Sequence, residues 1–300
     1  MYPFAASVAE HFGKAGDFRT PVVEATGTGA GFKLFCSSAG NPHITDASRA
    51  MLAVERAQCV QHGVDKIIEA KFGFDGITFA DSIKAPLFRL SRRQIFLALA
   101  RDVPKDGKLV ANYYEKWSQI DPALPDVPIK VYGSPPVSGT YDTFIELVMK
   151  KGCMQVHEFT SAIADSGERE RRCQMLREDG RFIEVGENGN LIAEKLIGDP
   201  GALGILGFSF LEQNPGKIQG SLIDGTAPAF ESIQSGAYPV SRPIYFYIKL
   251  PLVPGMHEYV QEFMSEAAIG DEGYLVMEGL VPFPDAERAK IRRKLMETLK

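Results

Sequence analysis

The sequence predicts an α/β protein with two lobes, from its length and from three strand, loop and helix patterns. A chain of 300 residues exceeds the size at which a single hydrophobic core usually stops growing, which favours two lobes. Each pattern joins a strand to a polar or glycine-rich loop and the start of a helix. This alternation of strands and helices is typical of the α/β class.

The first two patterns lie near the start of the chain. Residues 22–24 are strand-like and lead into a glycine-rich turn at residues 26–31, after which a helix begins. Residues 44–49 are the second pattern, in which Ser48 is placed to cap a helix that ends at His62 and Gly63.

The third pattern is the most clearly defined. Residues 129–132 are strand-like, and Ser138-Gly139-Thr140 opens a helix with an apolar period of 3.6 residues. Residues 150–152 (Lys-Lys-Gly) are expected to end this helix, with cations near its negative end and glycine at the cap.

Two further strand-like segments, residues 74–80 and 244–250, are suited to carry the chain between the lobes. We therefore predict a first lobe made of residues 1–80 and 243–300, and a second lobe made of residues 81–242. Helical patterns at residues 256–263 and 286–299 complete the first lobe.

Composition and charge exclude several classes of protein. The net charge is -5 and Lys and Arg form no long run, so no nucleic-acid partner is expected. No apolar stretch approaches the roughly 20 residues that cross a bilayer. Tyr2-Pro3 follows Met1 without a basic or apolar leader, so a secretory signal is either absent or removed.

The four cysteines fall as two pairs that are local in sequence and match no zinc-ligand spacing. Disulfides joining Cys36 to Cys59 and Cys153 to Cys173 are the favoured interpretation, and they would indicate an oxidising compartment. Four buried, reduced thiols are the alternative.

Hydroxyl groups stand at the predicted helix starts. A helix N-terminus has unpaired N–H donors and a partial positive charge, so it binds anions without help from Lys or Arg. Thr28, Ser48, Ser138 and Thr140 are therefore candidate donors to a tetrahedral anion. Simple helix capping is the alternative role for each.

Catalytic and nucleotide-binding motifs are incomplete. The turn at residues 26–31 departs from GxGxxG because Phe32 replaces the third glycine, although Asp46 lies near the distance of a ribose-binding acid. No Walker A lysine, nucleophile elbow or HExxH pair is present. Binding without catalysis, cofactor or metal is therefore the favoured interpretation.

Eight motifs resemble the periplasmic phosphate-binding protein family and occur in the same order as in that family. The resemblance covers essentially the whole chain. The motifs are residues 26–33 (TGTGAGFK), 46–49 (DASR), 74–77 (FDGI), 138–140 (SGT), 200–210 (PGALGILGFSF), 223–225 (IDG), 236–245 (GAYPVSRPIY) and 268–275 (AIGDEGYL).

The resemblance implies a type II periplasmic-binding-protein fold, in which two α/β lobes joined by two crossover strands hold phosphate in a cleft. It implies a periplasmic monomer that delivers inorganic phosphate to the permease of an ABC transporter. Carried over by position, the substrate-binding residues would be Thr28, Ser48, Arg49, Asp75, Ser138, Gly139 and Thr140.

The chain departs from the family pattern at three places. Arg49 stands where many members have an aspartate, and Ser134 stands where they have an arginine. The guanidinium is thus expected on the other loop, with Asp75 or Asp46 as the carboxylate that accepts the proton of monohydrogen phosphate. A solvated turn acid is the favoured role for Asp46, while both roles stay open for Asp75. The family's first strand and ligand loop would precede Tyr2, so a trimmed or misplaced start is expected.

Three other functions stay open. A receptor for another tetrahedral oxyanion, such as sulfate, would differ in the carboxylate that faces the ligand. An α/β enzyme that uses a nucleotide at the Gly27 turn would be stabilised by that nucleotide. A relative that no longer binds a ligand would serve as a sensor or surface protein.

Overall fold

A computed structural model describes residues 2–15, 18–37, 42–136, 138–186 and 189–299. Met1, where a trimmed or misplaced start is expected, lies outside these ranges. The chain divides into two compact units: residues 1–75 with 242–300 form unit 1, and residues 76–241 form unit 2. The first lobe was expected to end at residue 80 and the second at residue 242, whereas the units change over after residues 75 and 241.

The first segment of unit 1 contains helices, one complete strand and the start of a second strand. Its elements are α1 (Tyr2–Lys14), α2 (Thr28–Phe35), β1 (Ile44–Ala47), α3 (Ala53–Gln61) and the start of β2 (Ile67–Ser82), which continues into unit 2.

Unit 2 alternates strands and helices after β2. Its elements are β3 (Arg89–Leu90), α4 (Arg92–Leu99), β4 (Asp102–Lys105), β5 (Lys108–Ala111), α5 (Trp117–Ile120), β6 (Val131–Gly133), α6 (Gly139–Phe144), α7 (Lys150–Cys153), α8 (His157–Ser161), α9 (Ser166–Cys173), β7 (Phe182–Glu184), α10 (Gly189–Gly198), β8 (Leu203–Gly207), α11 (Phe208–Glu212), β9 (Ile218–Gly220), β10 (Leu222–Ile223) and α12 (Phe230–Gln234). A π-helical segment, Ile145–Met149, joins α6 to α7 without a break.

The chain then returns to unit 1 along β11 (Ser241–Lys249). It ends with α13 (Met256–Phe263), α14 (Glu266–Ile269), α15 (Tyr274–Met277), β12 (Leu280–Val281) and α16 (Asp285–Thr298). No helix in the described ranges is long and apolar enough to cross a membrane.

Unit 1 is built on a sheet in which β11 lies between β1 and β2. β1 and β11 are antiparallel, with Ile44 opposite Ile248, and β12 is antiparallel to β2. One face of α13 buries Tyr259, Val260 and Phe263, whose spacing places them on one side of the helix. This spacing is the signal that made the helix predictable.

Unit 2 is built on a sheet with the strand order β2, β8, β6, β7. β6 is parallel to both β8 and β7, while β2 is antiparallel to β8, with Ile77 opposite Gly207. Parallel strands end at the same edge of a sheet, so the loops that follow β6 and β8 leave from one edge. We call this the carboxyl edge of unit 2.

The predicted α/β class, both long strands and both C-terminal helices are confirmed. Both disulfides are also confirmed, because Cys36 is bonded to Cys59 and Cys153 to Cys173. Each disulfide lies within one unit.

Three predicted details are wrong. Residues 22–24 pair with no strand in the described parts of the chain, and Val22 is 90% exposed. Ser48 does not cap α3, whose N-cap is Leu52, because the chain bends after β1 and the helix begins only at Ala53. Gly152 does not end its helix, which continues to Cys153. A β-carbon at position 152 would overlap the carbonyl oxygen of Arg92, so glycine allows close packing there.

Candidate functional site

The turn at Ser138 lies at the carboxyl edge of unit 2. Ser138 is 6% exposed and caps α6, with its hydroxyl oxygen accepting a hydrogen bond from the N–H of Thr140 at 3.2 Å. A serine hydroxyl can donate one hydrogen bond while it accepts another. The cap therefore uses the oxygen of Ser138 as an acceptor and leaves its proton for a further acceptor.

The helix behind this turn strengthens its attraction for an anion. Helical structure runs from Gly139 to Cys153, which is longer than α6 alone. The first N–H groups of such a helix have no partner within it and carry the positive end of its dipole. The N–H of Gly139 is therefore a backbone donor beside the Ser138 hydroxyl, while the N–H of Thr140 already donates to the Ser138 oxygen.

Ser134 follows β6 directly and is 4% exposed. It stands where the family pattern has an arginine, so this position contributes a hydroxyl instead of a positive charge. Together with Ser138 it makes this part of the edge rich in neutral donors.

In unit 1 the structure brings Thr28 and Ser48 together. Thr28 begins α2 after Gly27, which has a φ of 75°. The Oγ1 atom of Thr28 lies 2.9 Å from the Oγ atom of Ser48 and accepts the backbone N–H of Ser48 at 3.1 Å. The two predicted hydroxyl groups therefore form one small cluster at the start of α2.

Arg49 is paired with an acid that the sequence analysis did not identify. Its guanidinium donates to both carboxylate oxygens of Glu55, at 2.8 and 2.7 Å, and lies over the ring of Phe32. The Arg49 hydrogen bond holds the pKa of Glu55 below its usual range. The Glu55 carboxylate also accepts the N–H of Leu52, so it fixes both the arginine and the start of α3.

Asp75 is also paired. Its Oδ2 atom lies 3.4 Å from the Nη2 atom of Arg242, and both side chains are largely buried. On β2, Asp75 is the last residue that belongs to unit 1. On β11, Arg242 is the first residue that belongs to unit 1. The ion pair thus links the two strands at the points where each one passes between the units.

Asp46 is not a solvated turn acid, so that prediction is wrong. It lies within β1, and its Oδ1 atom is buried without a hydrogen-bond partner among the described residues. Burial raises the pKa of Asp46 to about 7. Burial raises the pKa of Tyr259, and the charge of the Asp46 carboxylate raises it further.

Sequence reasoning therefore found the hydroxyl groups but missed Glu55 and Arg242. The sequence carries no capping-box signal for Glu55, because Leu52 stands at the N-cap where that motif needs a serine or threonine. Arg242 lies in the family motif at residues 236–245, but nothing in the sequence links it to Asp75, which is 167 positions away.

The described residues contain no group of three or more His, Cys, Asp or Glu side chains that could hold a metal ion.

A family model and two curated relatives match this chain over most of its length. A family model described as a PBP superfamily domain matches residues 1–268. The protein SphX of Synechococcus elongatus is 27% identical over 294 residues, covering 95% of this chain and 75% of its own length. A phosphate-binding protein PstS of Staphylococcus saprophyticus is 25% identical over 302 residues, covering 98% of this chain and 81% of its own.

A solved structure is similar along the whole chain. The structure described as "a possible phosphate binding protein" from Planctomyces limnophilus has a TM-score of 0.77 and 25% sequence identity. The match covers 100% of this chain and 95% of that one.

Proposed function

Because the chain belongs to the PBP superfamily, we propose that it is an extracytoplasmic solute-binding protein that captures inorganic phosphate and delivers it to an ABC transporter permease. Its fold class is the predicted α/β one, and the chain divides into two compact units. In this role the protein binds and releases its ligand unchanged and needs no catalytic group or cofactor.

The observation that carries this function is the turn at Ser138. A buried hydroxyl and the N-terminal N–H groups of a long helix meet there at the carboxyl edge of a sheet. In open α/β sheets, ligands bind outside the carboxyl ends of the strands. Neutral donors of this kind suit a small anion, because they provide hydrogen bonds without a counter-charge to desolvate.

Unit 1 supplies a second set of proposed ligand groups, Thr28 and Ser48, whose hydroxyls already contact each other. Arg49 and Asp75 are also proposed to contact the anion, each while it keeps its partner Glu55 or Arg242. A carboxylate has about four lone-pair sites, so Asp75 can pair with Arg242 and still accept the proton of monohydrogen phosphate.

The names of the relatives favour phosphate over other tetrahedral anions. The PstS protein of Staphylococcus saprophyticus and the Planctomyces limnophilus structure are both described as phosphate binding. Two disulfides are in keeping with an oxidising location such as the periplasm. We propose that the protein acts there as a monomer that docks on the membrane permease.

Titration calorimetry with phosphate, arsenate and sulfate tests this function. The double variant Ser138→Ala, Thr140→Ala should bind phosphate more weakly by roughly two to four orders of magnitude, because each hydrogen bond to a charged ligand contributes about 1.5–3 kcal/mol. An unchanged affinity in the folded double variant would contradict the assignment.

Ser91→Ala is the matched control for the loss of a helix cap. Ser91 caps α4 in the same unit, and its hydroxyl accepts the N–H of Gln94 at 3.1 Å. This variant should lose a similar amount of stability, about 1 kcal/mol, and keep its affinity for phosphate.

A further inference from the structure

The hydroxyl of Ser209 has no hydrogen-bond partner within the described ranges, although the residue is only 6% exposed. Buried polar groups in native proteins are nearly always hydrogen-bonded, and an exception calls for a specific explanation. The proposed role of Ser138, Gly139 and Thr140 does not use Ser209.

The local partner that usually serves a helical serine is missing here. A serine within a helix can donate to the carbonyl four residues earlier. For Ser209 that residue is Ile205, which lies in β8 and not in the helix. The chain therefore offers Ser209 no helical carbonyl.

The position of Ser209 directs its hydroxyl toward the carboxyl edge of unit 2. Ser209 is the second residue of α11, which begins directly after β8. Side-chain bonds in a helix tilt toward its N-terminus, so the hydroxyl leans toward the end of β8.

The Ser138 turn leaves the sheet from the neighbouring strand at the same edge. β8 is the parallel neighbour of β6, with Tyr132 opposite Gly204. Ser209 lies five residues beyond Gly204 and Ser138 six residues beyond Tyr132. Adjacent strands are about 4.8 Å apart, so both serines belong to one short stretch of the edge.

We propose that the Ser209 hydroxyl donates a hydrogen bond to the oxyanion held by the Ser138 turn, an inference that rests on the proposed function. A bound phosphate oxygen supplies the acceptor that the chain itself does not. The added donor also compensates in part for Ser134, which stands where the family pattern has an arginine. Ser209 is thus a ligand-binding residue outside the set taken from the resemblance.

The variant Ser209→Ala tests this in the full chain with inorganic phosphate as the probe. Phosphate affinity in calorimetry should fall about 10- to 100-fold. The melting temperature of the phosphate-free variant should stay equal to that of wild type or rise, because an unpaired buried hydroxyl has been removed. A structural hydroxyl would give the opposite change in stability.

Thr78→Val is the matched control. Thr78 is fully buried in β2, beside β8, and its hydroxyl donates to the carbonyl of Leu206 at 3.2 Å. This variant should melt at a lower temperature and keep its phosphate affinity, because its hydroxyl already has a partner.

Wild-type phosphate affinity in Ser209→Ala would overturn the assignment. A phosphate-free melting temperature that falls as in Thr78→Val would also overturn it, since the hydroxyl would then be bonded within the protein. If wild type itself does not bind phosphate, the proposed function fails and this inference fails with it.

Discussion

Replacing Asp46 by asparagine should stabilise the protein, and the gain should grow as the pH rises. Asp46 lies in β1 with its Oδ1 atom buried and unpartnered among the described residues. Burial raises the pKa of its carboxyl from 3.8 to about 7, because the charged form loses its hydration. Asparagine has nearly the same shape and cannot ionise, so this position no longer contributes to the dependence of stability on pH.

The size of the effect follows from the difference between the folded and unfolded pKa. Below pH 3.8 both states keep the proton, so ionisation costs nothing. Between pH 3.8 and about 7 the unfolded state releases a proton that the folded state retains, so the free energy of unfolding falls as the pH rises. A shift of about three units corresponds to a penalty of about 4 kcal/mol above pH 7. This is a ceiling, because part of the residue is exposed to solvent.

Urea denaturation of wild type and Asp46→Asn at pH 4, 6 and 8, followed by far-ultraviolet circular dichroism, measures the difference. All other titrating groups are shared and cancel, so the stabilisation of Asp46→Asn should increase by up to about 4 kcal/mol between pH 4 and pH 8. The same substitution at the exposed Asp65 is the control for replacing a carboxyl by an amide outside a buried site. A stability difference that does not change with pH would refute the role of burial at Asp46.

Two further predictions concern the ion pairs and the packing of unit 2. Asp75→Asn should bind monohydrogen phosphate about tenfold more weakly and sulfate no more weakly, whereas Arg49→Ala should weaken both. Calorimetry with both anions checks this, and an unchanged phosphate-to-sulfate ratio in Asp75→Asn would show that another group accepts the proton. Gly152→Ala should lower the free energy of unfolding by about 1–3 kcal/mol, because its methyl group meets the Arg92 carbonyl oxygen. Gly198→Ala, with nothing within 4 Å of the new carbon, is the control and should be neutral or slightly stabilising in denaturant titration.

The parts of the fold that follow from local patterns were predictable. The start of α6 was predicted from a capping serine, and α13 from the spacing of its apolar residues. The end of the helix after Lys150 was not, because a glycine used for close packing has the same sequence signature as a glycine at a cap. Only the neighbour, the Arg92 carbonyl in α4, distinguishes the two.

Strand pairing was predictable only in part, for the same reason. Residues 22–24 have the apolar composition of a strand, yet a strand requires a partner that donates and accepts its backbone hydrogen bonds. β1 obtains that partner from β11, about 200 positions later in the chain. Sequence composition does not contain this information.

The candidate site shows the same division between residue type and partner. The sequence identified which side chains can bind an anion, but the partners of Arg49 and Asp75 depend on the fold. Both charged candidates are paired with an opposite charge within unit 1, so each pair is close to neutral overall.

The groups at the carboxyl edge of unit 2, Ser134, Ser138 and Ser209, are also neutral. A net charge of -5 is compatible with such a site, because short-range donors attract the anion while the distant charges are screened by salt. Hydroxyls that donate to the anion do not distinguish phosphate from sulfate, because both offer oxygen acceptors, whereas a carboxylate accepts a hydrogen bond from the proton that only monohydrogen phosphate carries. The hydroxyls at this edge therefore contribute affinity for either oxyanion, and the preference for phosphate would rest on the Asp75 carboxylate.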